Sequence, residues 1–207
     1  MKLRKTVAIV AASTILLAGC ATDKKEVKAY NENIQKAFDK EQSINSISKK
    51  LNSLEEKKQG LYKKANSDNE DTRKKAADDI LENIKQRQET FDKEVSTLND
   101  SEKQFKKGKS HIDEIKSDDK KKEVKQLDDA VKNKYKVHDE YASAYKNVLE
   151  KEKDLFELIK QDGVTQSQVD EKNDALNKAQ KNFQNKFKDY SKAMNTVNKE
   201  KQDVDNL

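Results

Sequence analysis

The sequence contains no proline and no tryptophan, four glycines and one cysteine in 207 residues. Without proline nothing in the chain must break a helix, so long uninterrupted helices are open to it. With Cys20 as its only cysteine the chain cannot close a disulfide on itself. Large apolar residues are scarce as well. Leu, Ile, Val and Phe number 42, seven of them within residues 1–19. The other 35 fall in 188 residues, about 19%, near the range where chains stay disordered. Catalytic signatures are missing too: there is no G-x-S-x-G, no H-E-x-x-H and no glycine-rich phosphate loop. Beyond Cys20 there is no thiol nucleophile. The reading that follows is of a non-enzyme with neither metal nor cofactor.

The first twenty residues, MKLRKTVAIVAASTILLAGC, form a pattern of their own. Lys2, Arg4 and Lys5 make a positive start. Thr6 to Leu17 is an apolar core of signal-peptide length, too short to span a bilayer. Leu17, Ala18, Gly19 and Cys20 then match a bacterial lipobox, so residues 1–19 read as a lipoprotein signal peptide. The match implies diacylglycerol on the Cys20 sulfur, cleavage before it, and an N-acyl chain of the palmitate type on the new amino group. Two or three acyl chains hold a protein firmly on a membrane. Residues 20–22 become a short tether, and residues 23–207 a single domain on the outer face of the cytoplasmic membrane, facing the cell wall.

Discarding the signal changes the charge. The whole chain has 44 basic and 39 acidic residues, net +5; residues 1–19 hold three of the basic ones and none of the acidic. The remainder is net +2, so net charge gives no support to nucleic-acid binding.

Low net charge and strong periodicity argue for folding despite the sparse apolar content. From Asp23 to Ala65, Val27, Tyr30, Ile34, Ala37 and Phe38 recur at steps of three and four, followed by Ile44, Ile47, Leu51, Leu54 and Leu61. The register slips once between Glu41 and Ile47, like a stutter in a coiled coil. A second segment opens at Ser67-Asp68-Asn69, a good N-cap cluster. Ala77, Ile84, Phe91, Leu98, Phe105 and Ile112 are seven apart along it, and Ile80, Leu81, Val95 and Ile115 are assigned to its second seam. The third begins at Ser117-Asp118-Asp119 and carries Val124, Leu127, Val131, His138, Tyr141, Tyr145, Val148, Leu155 and Ile159, interrupted by Lys134 and Glu152. Asp162-Gly163 ends it. The fourth, from about Thr165 to Asp205, shows Val169, Leu176, Ala179, Phe183, Phe187, Tyr190, Met194, Val197 and Val204. Two apolar residues per heptad make a narrow coiled-coil stripe. Short connections force neighbours antiparallel. The expectation is an all-α, elongated antiparallel four-helix up-and-down bundle with coiled-coil-like seams. Its 66–69 and 162–165 turns are distal from the membrane, and its 117–119 turn and C-terminus are proximal.

Few residues suggest chemistry. His111 precedes Asp113 and Glu114, but one histidine beside acids is not a ligand set. His138 holds a seam position, where a polar residue fixes register or finds a hydrogen bond. Tyr141 and Tyr145 read as core packing with hydroxyls at the edge, Tyr190 lies on the fourth segment, and Tyr135 is the more exposed tyrosine for stacking on a sugar ring. Gly108 falls in a seam as a close approach or kink. Lys103, Lys106, Lys107, Lys109, Lys120, Lys121 and Lys122 cluster at the proximal end. They are candidates to contact anionic lipid or teichoic-acid phosphates, against the plainer reading of a solvated helix end.

With lipobox, length and four long charged helices in view, the chain resembles the YkyA-type cell-wall-binding lipoproteins of low-GC Gram-positive bacteria. The resemblance implies a helical, membrane-anchored protein that contacts peptidoglycan or teichoic acid; only Cys20 carries over as a functional residue. The alternative is a helical adaptor or chaperone whose partner is an envelope protein. No nucleic-acid partner is expected.

Overall fold

The computed structural model describes the backbone from Ser13 and the side chains from Thr22. The signal-peptide, lipobox and Cys20 readings concern side chains outside the described residues. Among the described residues six α-helices build four rods. The first rod is α1 (Ser13–Lys40) and α2 (Ile44–Ala65), joined by a 3₁₀ turn at Glu41–Ser43. The second is α3 (Glu70–Phe105) and the short α4 (Lys109–Glu114), joined by a 3₁₀ turn at Lys106–Gly108. The third is α5 (Asp118–Ile159) and the fourth α6 (Gln166–Asp205). The architecture is the expected elongated antiparallel up-and-down bundle. The 42 residues of α5 give it a length of about 63 Å at 1.5 Å per residue.

The caps lie where the sequence puts them. The Asn69 side chain accepts from the Thr72 backbone N–H at 2.8 Å. Ser117 caps α5 through Lys120 N–H, and Thr165 forms a capping box with Gln168. Gly163 turns between the third and fourth rods with φ +71°, a conformation a β-carbon disfavours. At the end of the bundle that carries the 115–117 connection and the C-terminus, called proximal as a label only, Ile115 and Ser117 have extended backbone with donors nearby to satisfy. The buried Asp23 carboxylate accepts from Lys116 N–H at 2.6 Å and Ser117 N–H at 2.9 Å, tying an inner turn of α1 to the segment just ahead of α5.

Both anticipated irregularities are present. The register slip at Glu41–Ile47 is the 3₁₀ turn at Glu41–Ser43. Gly108 sits in the other 3₁₀ turn, where a β-carbon would lie 3.1 Å from Asn33 Cβ and 3.4 Å from the Tyr30 ring. That close approach lets α1 cross the second rod.

Two apolar clusters divide the core. The proximal one gathers Tyr30, Ile34, Phe105, Leu127, Val131 and Val197. The distal one gathers Ile80, Phe91, Leu149, Leu155, Phe156 and Leu176. Each such side chain, fully buried, contributes about 1.5–3 kcal/mol.

The second seam of α3 differs from expectation. Leu81 and Val95 are only half-buried. The buried seam is Ile80, Arg87, Glu94, Ser101 and, beyond α3, Gly108, each seven residues apart. Arg87 and Ser101 are tolerated inside because each bonds polar groups on neighbouring rods, whereas Glu94 opens onto a groove.

Candidate functional site

The polar seam meets α5 in three layers. In the proximal layer Lys134 donates to Glu41 at 2.6 Å and lies over the Phe38 ring. Ser101 Oγ is 2.8 Å from the Ala37 carbonyl and 2.6 Å from Glu41 Oε1, so its single proton serves one at a time. Tyr135 Oη lies 2.8 Å from Ser101 Oγ and shares a hydrogen bond with it. Burial pulls the Lys134 ammonium below its ordinary range, against the pull of Glu41. This layer overturns the expectation for Tyr135: the ring is 4% exposed and cannot offer a face to a sugar.

In the distal layer Arg87, fully buried, donates to Glu152 at 2.5 Å, Glu55 at 2.8 Å and Asn83 at 2.9 Å. Tyr62 donates to the other Glu152 oxygen at 2.6 Å, so that carboxylate is paired on both sides. Burial would raise the Glu55 carboxyl, but Arg87 and Lys58 outweigh it and hold the group below the usual carboxylate range.

The middle layer is different. His138 is 1% exposed and Glu94 is 5% exposed. His138 Nε2 lies 3.6 Å from Glu94 Oε1, beyond a good hydrogen bond, and it has no hydrogen-bond partner among the described residues. No lysine or arginine pairs with Glu94 among the described residues. His138 stacks edge-on to Tyr190 at 5.2 Å and lies 5.8 Å from Tyr141, and the two tyrosines stack on each other at 5.5 Å.

Glu94 opens onto a groove of about 650 Å³ between the first and fourth rods. One wall is α2, with Ile44, Ser48, Leu51, Asn52, Glu55 and Lys58. The floor is Glu94 with Tyr141, Tyr145 and Val148 of α5. The far wall is α6, with Gln180, Phe183, Gln184, Phe187, Tyr190 and Met194. The cause is in the packing of the rods. Past the 3₁₀ turn α2 lies against α3 and leaves α6 uncovered, so from Phe183 to Phe187 no residue of α6 is fully buried. The seam reading of Phe187 is therefore corrected: it is 50% exposed on the groove wall. The hydroxyls of Tyr141 and Tyr190 make no hydrogen bond among the described residues. Burial and the Glu94 carboxylate push the Tyr141 hydroxyl well up; burial, Glu41 and Glu94 do the same at Tyr190. Both remain protonated donors facing a mostly apolar trench, the composition of a ligand pocket.

The other sequence candidates fall elsewhere. His111 pairs with Glu26 at 2.7 Å, across to α1, instead of with its neighbours Asp113 and Glu114. Lys103, Lys106, Lys107 and Lys109 are exposed on one rod near the proximal end, and Lys120, Lys121 and Lys122 stand on the first turn of α5. Lys103 pairs with Asp100 at 2.9 Å and Lys106 with Glu102 at 2.8 Å. Lys107 donates to Gln104 at 3.2 Å. Lys120 donates to the Leu207 carbonyl at 3.4 Å and Lys121 to the Asp113 carbonyl at 3.2 Å. The carboxylates of Glu123, Glu200 and Asp203 come within 4.8 Å of one another nearby, with solvent access. Among the described residues no helix is long and apolar enough to cross a membrane.

Sequence reasoning missed Glu94 and Arg87. The signal was available as a second seven-residue series, 80–87–94–101–108, masked by its charged and small members.

A rod-like antiparallel bundle of four helical rods, with a side groove and with buried charged pairs bound up in packing, places the chain among elongated all-helical proteins. The chain belongs to the YkyA family, described as "putative cell-wall binding lipoprotein", which matches residues 25–207. It is 24% identical over 196 residues to the "uncharacterized lipoprotein YkyA" of Bacillus subtilis (strain 168), covering 93% of this chain and 87% of that one. It is also similar to a crystal structure, at 1.6 Å, of a conserved protein of unknown function from Staphylococcus aureus. That likeness has a TM-score of 0.83 and 42% identity, and covers 90% of this chain and 95% of the other.

Proposed function

We propose that this chain is a lipoprotein held by acyl chains on Cys20 at the outer face of the cytoplasmic membrane, and that it binds cell-wall peptidoglycan along its bundle. The observation that carries this reading is the aromatic groove between α2 and α6. Ring faces of Phe183 and Phe187 suit the apolar faces of sugars, and the amides of Asn52, Gln180 and Gln184 offer donors and acceptors along the walls. The family description and the lipobox support the location. On this reading the rod stands on its Asp23 end and carries the groove outward from the membrane.

The test is sedimentation of the chain with purified sacculi, with and without teichoic acid. Co-sedimentation that survives removal of teichoic acid and weakens in Phe187→Ala is the expected result. A chain that stays in the supernatant at low salt sinks the reading.

A second contact is supported by the lysines. Lys103, Lys106, Lys107, Lys109, Lys120, Lys121 and Lys122 share the proximal end, and exposed ammonium groups attract anionic headgroups or teichoic-acid phosphates over about one Debye length. Binding to anionic vesicles that disappears at high salt is the expected signature. The adaptor reading is separated by crosslinking in cells: a single discrete protein partner favours it over wall polymer.

A further inference from the structure

We infer that the groove recognises a primary ammonium on a flexible methylene chain, the lysine-type side chain of a wall peptide, with its charge set against Glu94. The inference rests on the peptidoglycan reading above and names the group within that polymer which the site takes.

The argument is charge complementarity. Among the three polar layers only the middle one leaves a carboxylate without a cation. Glu41 has Lys134 at 2.6 Å, and Glu152 has Arg87 at 2.5 Å. Glu94 has only His138, at 3.6 Å and out of hydrogen-bond range, with Nε2 left unsatisfied. A buried carboxylate is retained inside a bundle when it is paired, so the unpaired one that opens onto a cavity is where a cation is missing. The surroundings select the kind of cation. The half-buried Tyr141 ring and the exposed Phe187 ring line the groove, and aromatic faces attract an ammonium through their negative quadrupole; Tyr190, buried against Tyr141, brings its hydroxyl to the lining beside that of Tyr141. The two hydroxyls are free of intramolecular partners among the described residues. Leu51 and Phe183 on the two walls and Val148 on the floor add apolar surface, while Lys58 in the wall is taken up by its pair with Glu55. A compact hydrated ion has no use for such walls, whereas a chain of methylenes ending in an ammonium matches both parts. The groove's 650 Å³ leaves room for the polymer that bears it.

The experiment is calorimetric titration of the whole chain, purified from its host membrane and held in lipid nanodiscs, with N-α-acetyl-lysine methylamide and with its Nε-acetylated form. The free amine should bind, and the acetylated form should bind at least about tenfold more weakly, because the charged contact is lost. Glu94→Gln should lower affinity for the free amine by about tenfold with no change for the acetylated form. Phe187→Ala, on an exposed side chain, should weaken both by about threefold and leave thermal unfolding unchanged. Equal binding of the two ligands, an unaffected Glu94→Gln variant, or no binding of the free amine at millimolar concentration each overturns the inference. Sacculus binding separates this failure from that of the peptidoglycan reading: retained co-sedimentation with no amine binding removes only the present inference. Amine binding without co-sedimentation removes the wall reading and leaves Glu94 as an ammonium site.

Discussion

The first rod is two helices that treat the same bundle differently. α1 buries Val27, Tyr30, Ile34 and Ala37, two positions per heptad, and sits among α3, α4, α5 and α6. After three residues of 3₁₀ helix, α2 buries Ile47, Leu54 and Leu61, one position per heptad, with Ala65 added only at its end; its backbone packs closely on α3, and it reaches α5 through side chains such as Tyr62. A helix with two buried seams closes a bundle; a helix with one leaves a trench beside it. The groove is therefore a consequence of the turn at Glu41–Ser43, which rotates α2 away from α6 while the chain's apolar content stays about the same.

Removing the guanidinium that ties α2 to the rest gives the largest break in that contrast. Arg87→Ala strands Glu152 in the core and should cost about 3–5 kcal/mol in denaturant unfolding. Replacing Arg87 and Glu152 together with Met and Leu should recover most of that loss.

Next in size is a matched pair of truncations. Ile34→Ala, fully buried in α1, should cost about 2–5 kcal/mol, whereas Leu51→Ala, half-buried on the groove wall, should cost about 1 kcal/mol or less. Equal losses measured by thermal unfolding would falsify the two-seam account.

Glycines sharpen the comparison further. Gly108→Val pushes against Asn33 and Tyr30 where α1 crosses closely, and should cost about 1–3 kcal/mol. Gly60→Ala, in α2 with nothing within 4 Å of the added carbon, should instead stabilise by roughly 0.5–1 kcal/mol.

The smallest effect is in acid. Glu55 titrates below its ordinary 4.5, so its contribution is complete above that pH and is lost as pH falls through the lower folded value. Amide exchange in α2 should accelerate below about pH 4.5 before exchange in α1 does. Glu55→Gln should remove the difference. Lys134 runs the other way: its folded value lies below 10.5, so its burial weighs against the fold in neutral solution and is relieved as pH climbs toward 10.5.

The periodic apolar series made four rods legible, and the polar clusters at Ser67–Asn69 and Ser117–Asp119 marked the starts of the second and third. Even the turn at Glu41–Ser43 could be read, because a change of step size is visible along one helix. What could not be read was which charged residues point inward. Arg87 and Glu94 follow the same seven-residue spacing as Ile80, but a charge in a helix chain that is 40% charged is first taken as solvent-facing. Only the partner on another rod, Glu152 for Arg87, makes burial possible, and that pairing is a property of two helices at once. The groove escaped for a related reason. Phe183 and Phe187 keep core spacing on α6, and the helix that fails to cover them lies more than a hundred residues earlier.

The clasp at Asp23 has a mechanical meaning. It sits three residues after Cys20 and bonds the backbone just ahead of α5. A pull arriving along the chain from the Cys20 end meets two parallel hydrogen bonds across the bundle before it reaches Val27. The load is thereby shared with the longest helix and runs lengthwise, as shear along packed rods, instead of unzipping α1 one turn at a time. Asp23→Ala should leave most of the equilibrium stability in place and lower the force at which the first rod peels away.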